Sequence, residues 1–237
     1  MKGMTVRGAV VAAAGAAAGA HLLPSVLTIP AAHQRLAPHL SGRSTRPHIA
    51  LTFDDGPDPV ATPLFLDALA ELDIRATFFV LGSLVQQHKE VAKRIAADGH
   101  ELGIHCWVHT AHLLRAPWRI RADIARTQAS LHQIAVPRFW RPPNGIITGA
   151  GLHAASSLGL TPVLWTDDGQ DWSARATADT ITARATSGLK PGAVVLLHDS
   201  DITSAPGSWR RTLDALPRIV EHCRRLDWTI GPLREHW

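Results

Sequence analysis

His48-Ile49-Ala50-Leu51-Thr52-Phe53-Asp54-Asp55-Gly56-Pro57 is an apolar run that ends abruptly in two carboxylates, a glycine and a proline. The run predicts a strand, and Gly-Pro predicts a tight turn directly after it. Adjacent residues leaving a strand point in different directions, so Asp54 and Asp55 can take different jobs.

Six more strand-like runs follow, at 76–81, 101–105, 139–142, 161–167, 193–198 and 228–233. Helical stretches separate them. Leu64, Phe65, Ala68, Leu69 and Leu72 share one helical face, as do Leu84, Val85, His88, Val91, Ala92 and Ile95, and further helices are expected at 118–134, 148–158, 176–188 and 208–224. Strands alternating with helices imply parallel pairing, as an open doubly wound sheet or as a closed barrel, and seven units in one domain favour the barrel. The polar clusters Asp54-Asp55, His105-x3-His109, Arg141 to Gly145, Asp167 to Trp172 and His198-Asp199 each follow a predicted strand. In a β/α barrel such positions converge on the C-terminal face, where active sites are built.

These clusters carry the parts of a metal hydrolase. His105 and His109 are spaced to bring two imidazoles onto one cation, and one of Asp54 and Asp55 completes the set, leaving positions open for water and substrate. The other carboxylate is then free to act as a general base. His198, at the end of the apolar run 194–197, is placed to be the general acid, with Asp171 as a partner that orients it and raises its pKa. Arg141, in the stiff Arg141-Pro142-Pro143-Asn144-Gly145 loop, is suited to hold a carboxylate. Cys106 could offer a thiolate, but its neighbouring position turns its side chain away from a site bound by His105 and it reads as a packing residue; His112, one turn further, is a spare ligand or a bystander, and reads as the latter.

In this order, Thr52 to Pro57, His105-x3-His109, Arg141-Pro142-Pro143-x-Gly145, Asp171-Trp172 and Leu196-Leu197-His198 resemble the five motifs of the polysaccharide deacetylase family, the NodB-homology or carbohydrate esterase family 4 group. The resemblance spans roughly residues 48–233. It implies a distorted seven-stranded β/α barrel that removes acetyl groups from N-acetylated, secondarily O-acetylated, cell-surface polysaccharide. By the same resemblance Asp54 is the general base, and Asp55, His105 and His109 hold a divalent cation, usually zinc. His198 is the general acid, Arg141 tethers Asp54, Asp171 tunes His198, and Trp172 and Leu196 line the acetyl pocket. The cation and a backbone N–H near Asn144 would stabilise the oxyanion. Cys106 stands where the family usually has Ser or Thr, and Asn144 where it usually has Tyr. Two other readings compete: a catalytically silent carbohydrate-binding protein, and a hydrolase of small amides or acylated glycolipids.

The remaining features bound the setting. The chain has 237 residues, which suits one catalytic domain, and its 46% hydrophobic and 19% charged residues are those of a globular protein. The net charge of +4 comes without a basic stripe interleaved with aromatics, which argues against nucleic acid and allows attraction to anionic wall polymer or lipid. No protein partner is predicted. Two cysteines are too few for a disulfide framework. Lys2 and Arg7 flank an Ala- and Gly-rich apolar run, Gly8 to Ala20, ending in Ala18-Gly19-Ala20, and apolar character resumes over 22–32. Residues 1–32 are therefore read as a signal peptide or membrane anchor, 33–47 as a linker and 48–237 as the catalytic domain, exported to the cell envelope or secreted.

Overall fold

The first strand, β1 (His48–Asp54), is buried at every one of its seven positions. It lies at the centre of a parallel sheet, with one face toward a ring of helices and the other toward the barrel interior, which is why its sequence is apolar without alternation. The computed structural model describes residues 6–237; Lys2, part of the N-terminal leader reading, lies outside the described residues. Before β1 come α1 (Val6–Leu22), a 3₁₀ turn (Leu23–Thr28), α2 (Pro30–Leu36) and a second 3₁₀ turn (Pro38–Ser41). After it run α3 (Ala61–Glu71), β2 (Thr77–Leu81), α4 (Gly82–Gln87), α5 (Lys89–Ala97), β3 (Glu101–Cys106), α6 (Pro117–Ser130), β4 (Phe139–Trp140) and α7 (Gly149–Ser157). The chain ends with β5 (Thr161–Pro162), β6 (Asp167–Asp168), α8 (Ala178–Thr186), β7 (Val194–His198), α9 (Ser208–Arg225) and β8 (Thr229–Gly231).

The sheet runs β5-β4-β3-β2-β1-β7-β6, with β8 beside β1. The upper half of β1 pairs with β2, from Thr52↔Thr77 to Asp54↔Phe79, and its lower half pairs with β8, from His48↔Thr229 to Ala50↔Gly231. The expected strand 161–167 is two strands. Its first half pairs with β4 and its second half with β7, so one stretch of chain crosses between the two edges of the sheet and closes a distorted barrel. Between them Val163 and Leu164 turn into the interior and Leu164 N–H donates to the Leu40 carbonyl, an acceptor outside the sheet. The expected helix through 84–95 is likewise two. It breaks at His88, whose backbone is non-helical (φ −123°, ψ 49°) and whose carbonyl accepts from Val91 and Ala92 at the start of α5.

The period of two along the strands sorts the core. Ile49, Leu51 and Phe53 join Phe78, Val80, Val195 and Leu197 under the helices. Ala50, Phe79, Phe139, Val163, Val194 and Leu233 fill the inside. Thr52 and Asp54 share the phase of Ala50, and Leu196 and His198 that of Val194, so Asp54 and His198 both lie on the interior phase and are register partners at the top of adjacent strands.

Residues 33–47, expected as a linker, are packed on the barrel. His33 is 1% and Leu40 2% exposed, and Ala37 and Leu40 cluster with Ile147 and Leu164. Ser44 N–H donates to the Gly192 carbonyl and its hydroxyl to the His236 carbonyl. Pro38 and Gly42, which look like linker residues in the sequence, start and end a buried 3₁₀ turn, Gly42 in the left-handed region at φ 70°. Replacing Leu40 by Ala is therefore expected to cost roughly 2–4 kcal/mol in urea unfolding of the full chain, as for a core leucine. A linker residue would move stability by less than about 0.5 kcal/mol.

Candidate active site

The top of the barrel is organised by one buried guanidinium. Arg141, at the end of β4, is 0% exposed. Its Nη1 donates to Asp54 Oδ1 at 2.7 Å and to Thr52 Oγ1 at 2.8 Å, and its Nη2 donates to the Leu164 carbonyl at 2.8 Å. Phe79 lies 4.1 Å from the guanidinium carbon, centroid to carbon, and so covers the group from one side. Burial pushes the Asp54 carboxyl above its usual range, with Arg141 and His198 opposing that shift. Asp54 is thus a carboxylate with one oxygen tethered and a basicity higher than that of an exposed aspartate.

Asp55 takes a left-handed backbone conformation (φ 77°), which turns its carboxylate away from that of Asp54. Its Oδ2 accepts from the Thr203 hydroxyl. Its Oδ1 is buried without a hydrogen-bond partner and stands 3.4 Å from His105 Nε2 and 3.6 Å from His109 Nε2. His105 Nδ1 donates to the Arg141 carbonyl at 2.8 Å, which leaves the Nε2 lone pair facing Asp55. Burial, only partly offset by Asp55, lowers the His105 pKa to about 3, so this imidazole is neutral across the physiological range. One atom from each residue lies within 4.8 Å of the others. Ligand atoms about 3.4 Å apart suit a cation bonded at about 2.1 Å in a tetrahedral arrangement. An orphaned carboxylate oxygen and two imidazole nitrogens, with no Lys or Arg paired with Asp55 among the described residues, make a donor set that fits a divalent metal.

His198 faces this group across the opening. Its Nδ1 donates to Asp171 Oδ1 at 2.8 Å, and its backbone N–H donates to Asp171 Oδ2, also at 2.8 Å. Thr212 Oγ1 donates to the same Asp171 oxygen at 2.8 Å. Burial alone would lower the His198 pKa; the Asp171 carboxylate outweighs it, helped by Asp55 and Asp54, and the imidazole is held at about 10. Asp199, the next residue, points elsewhere: its Oδ2 accepts from Thr62 Oγ1, and burial pushes its carboxyl up to about 7.

A cavity of about 350 Å³ joins these parts. Asp54, His105, His109, Asn144, Trp172, Leu196 and His198 line it, while Asp55, Arg141 and Asp171 stand directly behind that lining. All ten residues named from the sequence therefore gather at one place. Trp165, Asp168 and Thr203 also line the cavity; Asp168 belongs to the cluster Asp167 to Trp172 but has no role assigned from the sequence, and Trp165 and Thr203 are not singled out by it. Trp165 sits in the broken stretch between β5 and β6, Asp168 is the last residue of β6, and Thr203 is a loop residue with no telling spacing. Cys106 is 0% exposed, packed near Leu81 and Leu84, and burial holds its thiol well above the usual pKa, so it packs and is not a thiolate ligand. His112 is buried with Nε2 3.8 Å from Asp123 Oδ2 and its ring parallel to that of Trp140, as expected of a residue that does not ligate.

Residues 41–163, just over half of the chain, match the family model described as polysaccharide deacetylase. A chitooligosaccharide deacetylase of Bradyrhizobium sp. (strain ANU 289) is 36% identical over 189 residues, covering 78% of this chain and 84% of that one. A peptidoglycan-N-acetylglucosamine deacetylase of Bacillus cereus is 36% identical over 190 residues, covering 79% of this chain and 67% of that one. The solved structure of a family 4 acetyl xylan esterase from Clostridium thermocellum, in complex with a cobalt ion, superposes with a TM-score of 0.72 at 31% identity, covering 80% of this chain and 89% of that one. With its curled parallel sheet and its sequence relatives agreeing, the chain belongs to the polysaccharide deacetylase family of hydrolases.

Proposed function

We propose that the protein is a metal-dependent deacetylase of N-acetylated cell-surface glycan, with O-acetyl groups as secondary substrates. The observation that carries this reading is the unpaired Asp55 Oδ1 beside two imidazole nitrogens, set between an arginine-tethered carboxylate and a carboxylate-clamped imidazole in one cavity. The names of the two sequence relatives support N-acetylglucosamine-containing glycans, from chitooligosaccharide to peptidoglycan, as the substrate class. The peptidoglycan relative and the apolar N-terminal helix support a place in the cell envelope, by export or by anchorage.

Asp55, His105 and His109 would hold the cation, for which zinc is the first choice. When bound, it supplies a positive charge that polarises the acetyl carbonyl and acidifies the attacking water. The rest is done by this chain's own groups. Asp54 takes the proton of the attacking water on its untethered oxygen, while Arg141 fixes the other oxygen and keeps the carboxylate charged. His198 gives a proton from Nε2 to the leaving nitrogen, since Nδ1 is occupied by Asp171. Trp172 and Leu196 form the apolar wall against the methyl group, and a backbone N–H near Asn144 faces the developing oxyanion.

Acetate release from N-acetylglucosamine oligomers and from peptidoglycan is expected to need a divalent cation. It should stop with chelator, return with zinc, and fall about 10²–10⁴-fold in Asp54→Asn, the range for losing a general base. Cation binding without acetate release by the folded protein would favour the silent binding protein, and turnover of small amides alone would favour the amidase reading.

The pH profile follows from the two shifted groups. Asp54 must be unprotonated, so the rate falls as pH drops through its raised pKa; His198 must be protonated, so the rate falls as pH rises toward about 10. A cation at Asp55 offsets one of the charges that hold the His198 proton, so the alkaline limb of the loaded enzyme lies below that value. Asp171→Asn should move this limb down toward the ordinary histidine value of 6.5 and leave the acid limb in place. An unmoved alkaline limb would show that another group donates the proton.

A further inference from the structure

Exposed apolar side chains gather where the N-terminal segment meets the loop after β3. Leu22, Leu23, Val26 and Ile29 are exposed on one side, Leu23 at 74%, and Leu114 at 92% and Trp118 at 72% on the other. The two segments touch: His21 Nε2 lies 3.0 Å from the Leu113 carbonyl. Ala20 packs so closely on Gly149 at the start of α7 that a Cβ at Gly149 would come within 2.1 Å of the Ala20 carbonyl oxygen. A contiguous apolar patch of this kind on a folded domain marks a contact surface.

Two observations say what covers it. Leu22, Leu23 and Val26 of the patch are the C-terminal part of Val11–Thr28, a helical stretch long and apolar enough to cross a bilayer, with none of it buried in the fold. Beside Trp118, Arg119 and Arg121 are exposed on the first turns of α6, and an aromatic with arginines at an apolar edge is the composition of a contact with anionic head groups. The patch from Leu22 onward also lies beyond Ala18-Gly19-Ala20, so it stays with the domain in a chain cut there.

We infer that this face rests on an anionic lipid bilayer and holds the catalytic cavity beside it. His109, on the cavity wall, is five residues before Leu114, at most about 18 Å along an extended chain. On the other side, Trp165 lines the cavity, and its carbonyl accepts from His33 Nε2 at 3.3 Å, while Leu27 packs into the cluster that Trp165 also touches. Both walls are thus tied to the segment that carries the patch. Resting on the deacetylase reading above, this names the substrate more closely: N-acetylated glycan carried at the bilayer surface on a lipid, reached before distant wall polymer.

The test uses the full chain. Cys106 and Cys223 are both 0% exposed, so Leu114→Cys and Leu226→Cys can be labelled selectively with an environment-sensitive fluorophore, Leu226 being an exposed control at the end of α9. In phosphatidylglycerol/phosphatidylcholine vesicles with brominated chains, the label at 114 is expected to lose about half its emission or more, and the label at 226 to keep it. No quenching at 114, equal quenching at both, or burial of the 114 label by self-association without lipid would overturn the proposal. Leu114→Asp should then lose about tenfold in deacetylation of an N-acetylglucosamine oligomer tethered to lipid in the same vesicles, with the free oligomer unaffected. Equal loss on both, or none on the tethered one, would overturn the substrate assignment. If neither oligomer is deacetylated, the deacetylase reading fails, while the quenching still decides the membrane seating.

Discussion

The Arg141–Asp54 pair is the constraint on which the site depends. A guanidinium with no exposure is tolerable only when its charge is answered, and here Asp54 answers the charge while Nη1 and Nη2 donate to Asp54, Thr52 and the Leu164 carbonyl; Nε is left without a partner. The partners come from two parts of the barrel: β1 supplies Asp54 and Thr52, and the broken stretch between β5 and β6 supplies Leu164. Thr52 in turn donates to the Val195 carbonyl of β7 at 2.6 Å. The pair therefore links three strands and the barrel closure while fixing one oxygen of the base. Its backbone contributes as well, because the Arg141 carbonyl receives His105 Nδ1 and so aims the other imidazole nitrogen at Asp55. One residue orients both the base and a ligand.

Charge bookkeeping around the cavity singles out Asp55. Asp54 is matched by Arg141, and Asp171 by His198. Asp199 is pushed up to about 7 by burial, against the hydrogen bond it accepts from Thr62, so it gives up its proton less readily than an exposed carboxyl. Among the described residues Asp55 touches a hydroxyl and two imidazoles, of which His105 is held neutral, and the protonated His198 acts on it only from across the cavity. A buried carboxylate without a counter-charge costs several kcal/mol, and a divalent cation is the economical answer that this donor set supplies. The same pattern keeps the roles apart: two adjacent aspartates differ because one has an arginine and the other does not.

Much of this was legible in the sequence for a specific reason. The strands β1, β2, β3 and β7 are buried on both faces, so their apolar runs are unbroken and the polar residues that end them stand out. The stretch 161–167 reads as one strand because Val163, Leu164 and Trp165 continue the apolar run, yet those side chains serve the barrel interior and the cavity while the backbone changes partners. Residues 33–47 read as a linker for the opposite reason: proline, glycine and serine suggest one, yet Pro38 to Gly42 shape a 3₁₀ turn whose buried Leu40 and Ser41, with His33 in the last turn of α2, hold the segment down. Thr203 could be found only through its hydrogen bond to Asp55, since a single hydroxyl in a loop leaves no pattern.

The cysteine at position 106 raises the question of what braces the loop between the two imidazoles once the family's hydroxyl is gone. The structure answers with α6. Asp123, 7% exposed, accepts from the Trp107 N–H at 2.9 Å and from Arg115 Nη1 at 3.1 Å, with His112 beside it. Trp107 itself lies against Gly82, where a Cβ would come within 2.6 Å of the indole, and its other face carries the Arg126 guanidinium at 3.6 Å. Trp107, in the middle of the loop, is thus pinned through its backbone to Asp123 and through its indole between α4 and α6, and Arg115, six residues beyond His109, is held to the same carboxylate. A hydroxyl acting on the loop from within has less to do when the loop is held from outside. The buried, protonated thiol of Cys106 can then serve the hydrophobic contact with Leu81 and Leu84 without disturbing the orientation of His105 and His109.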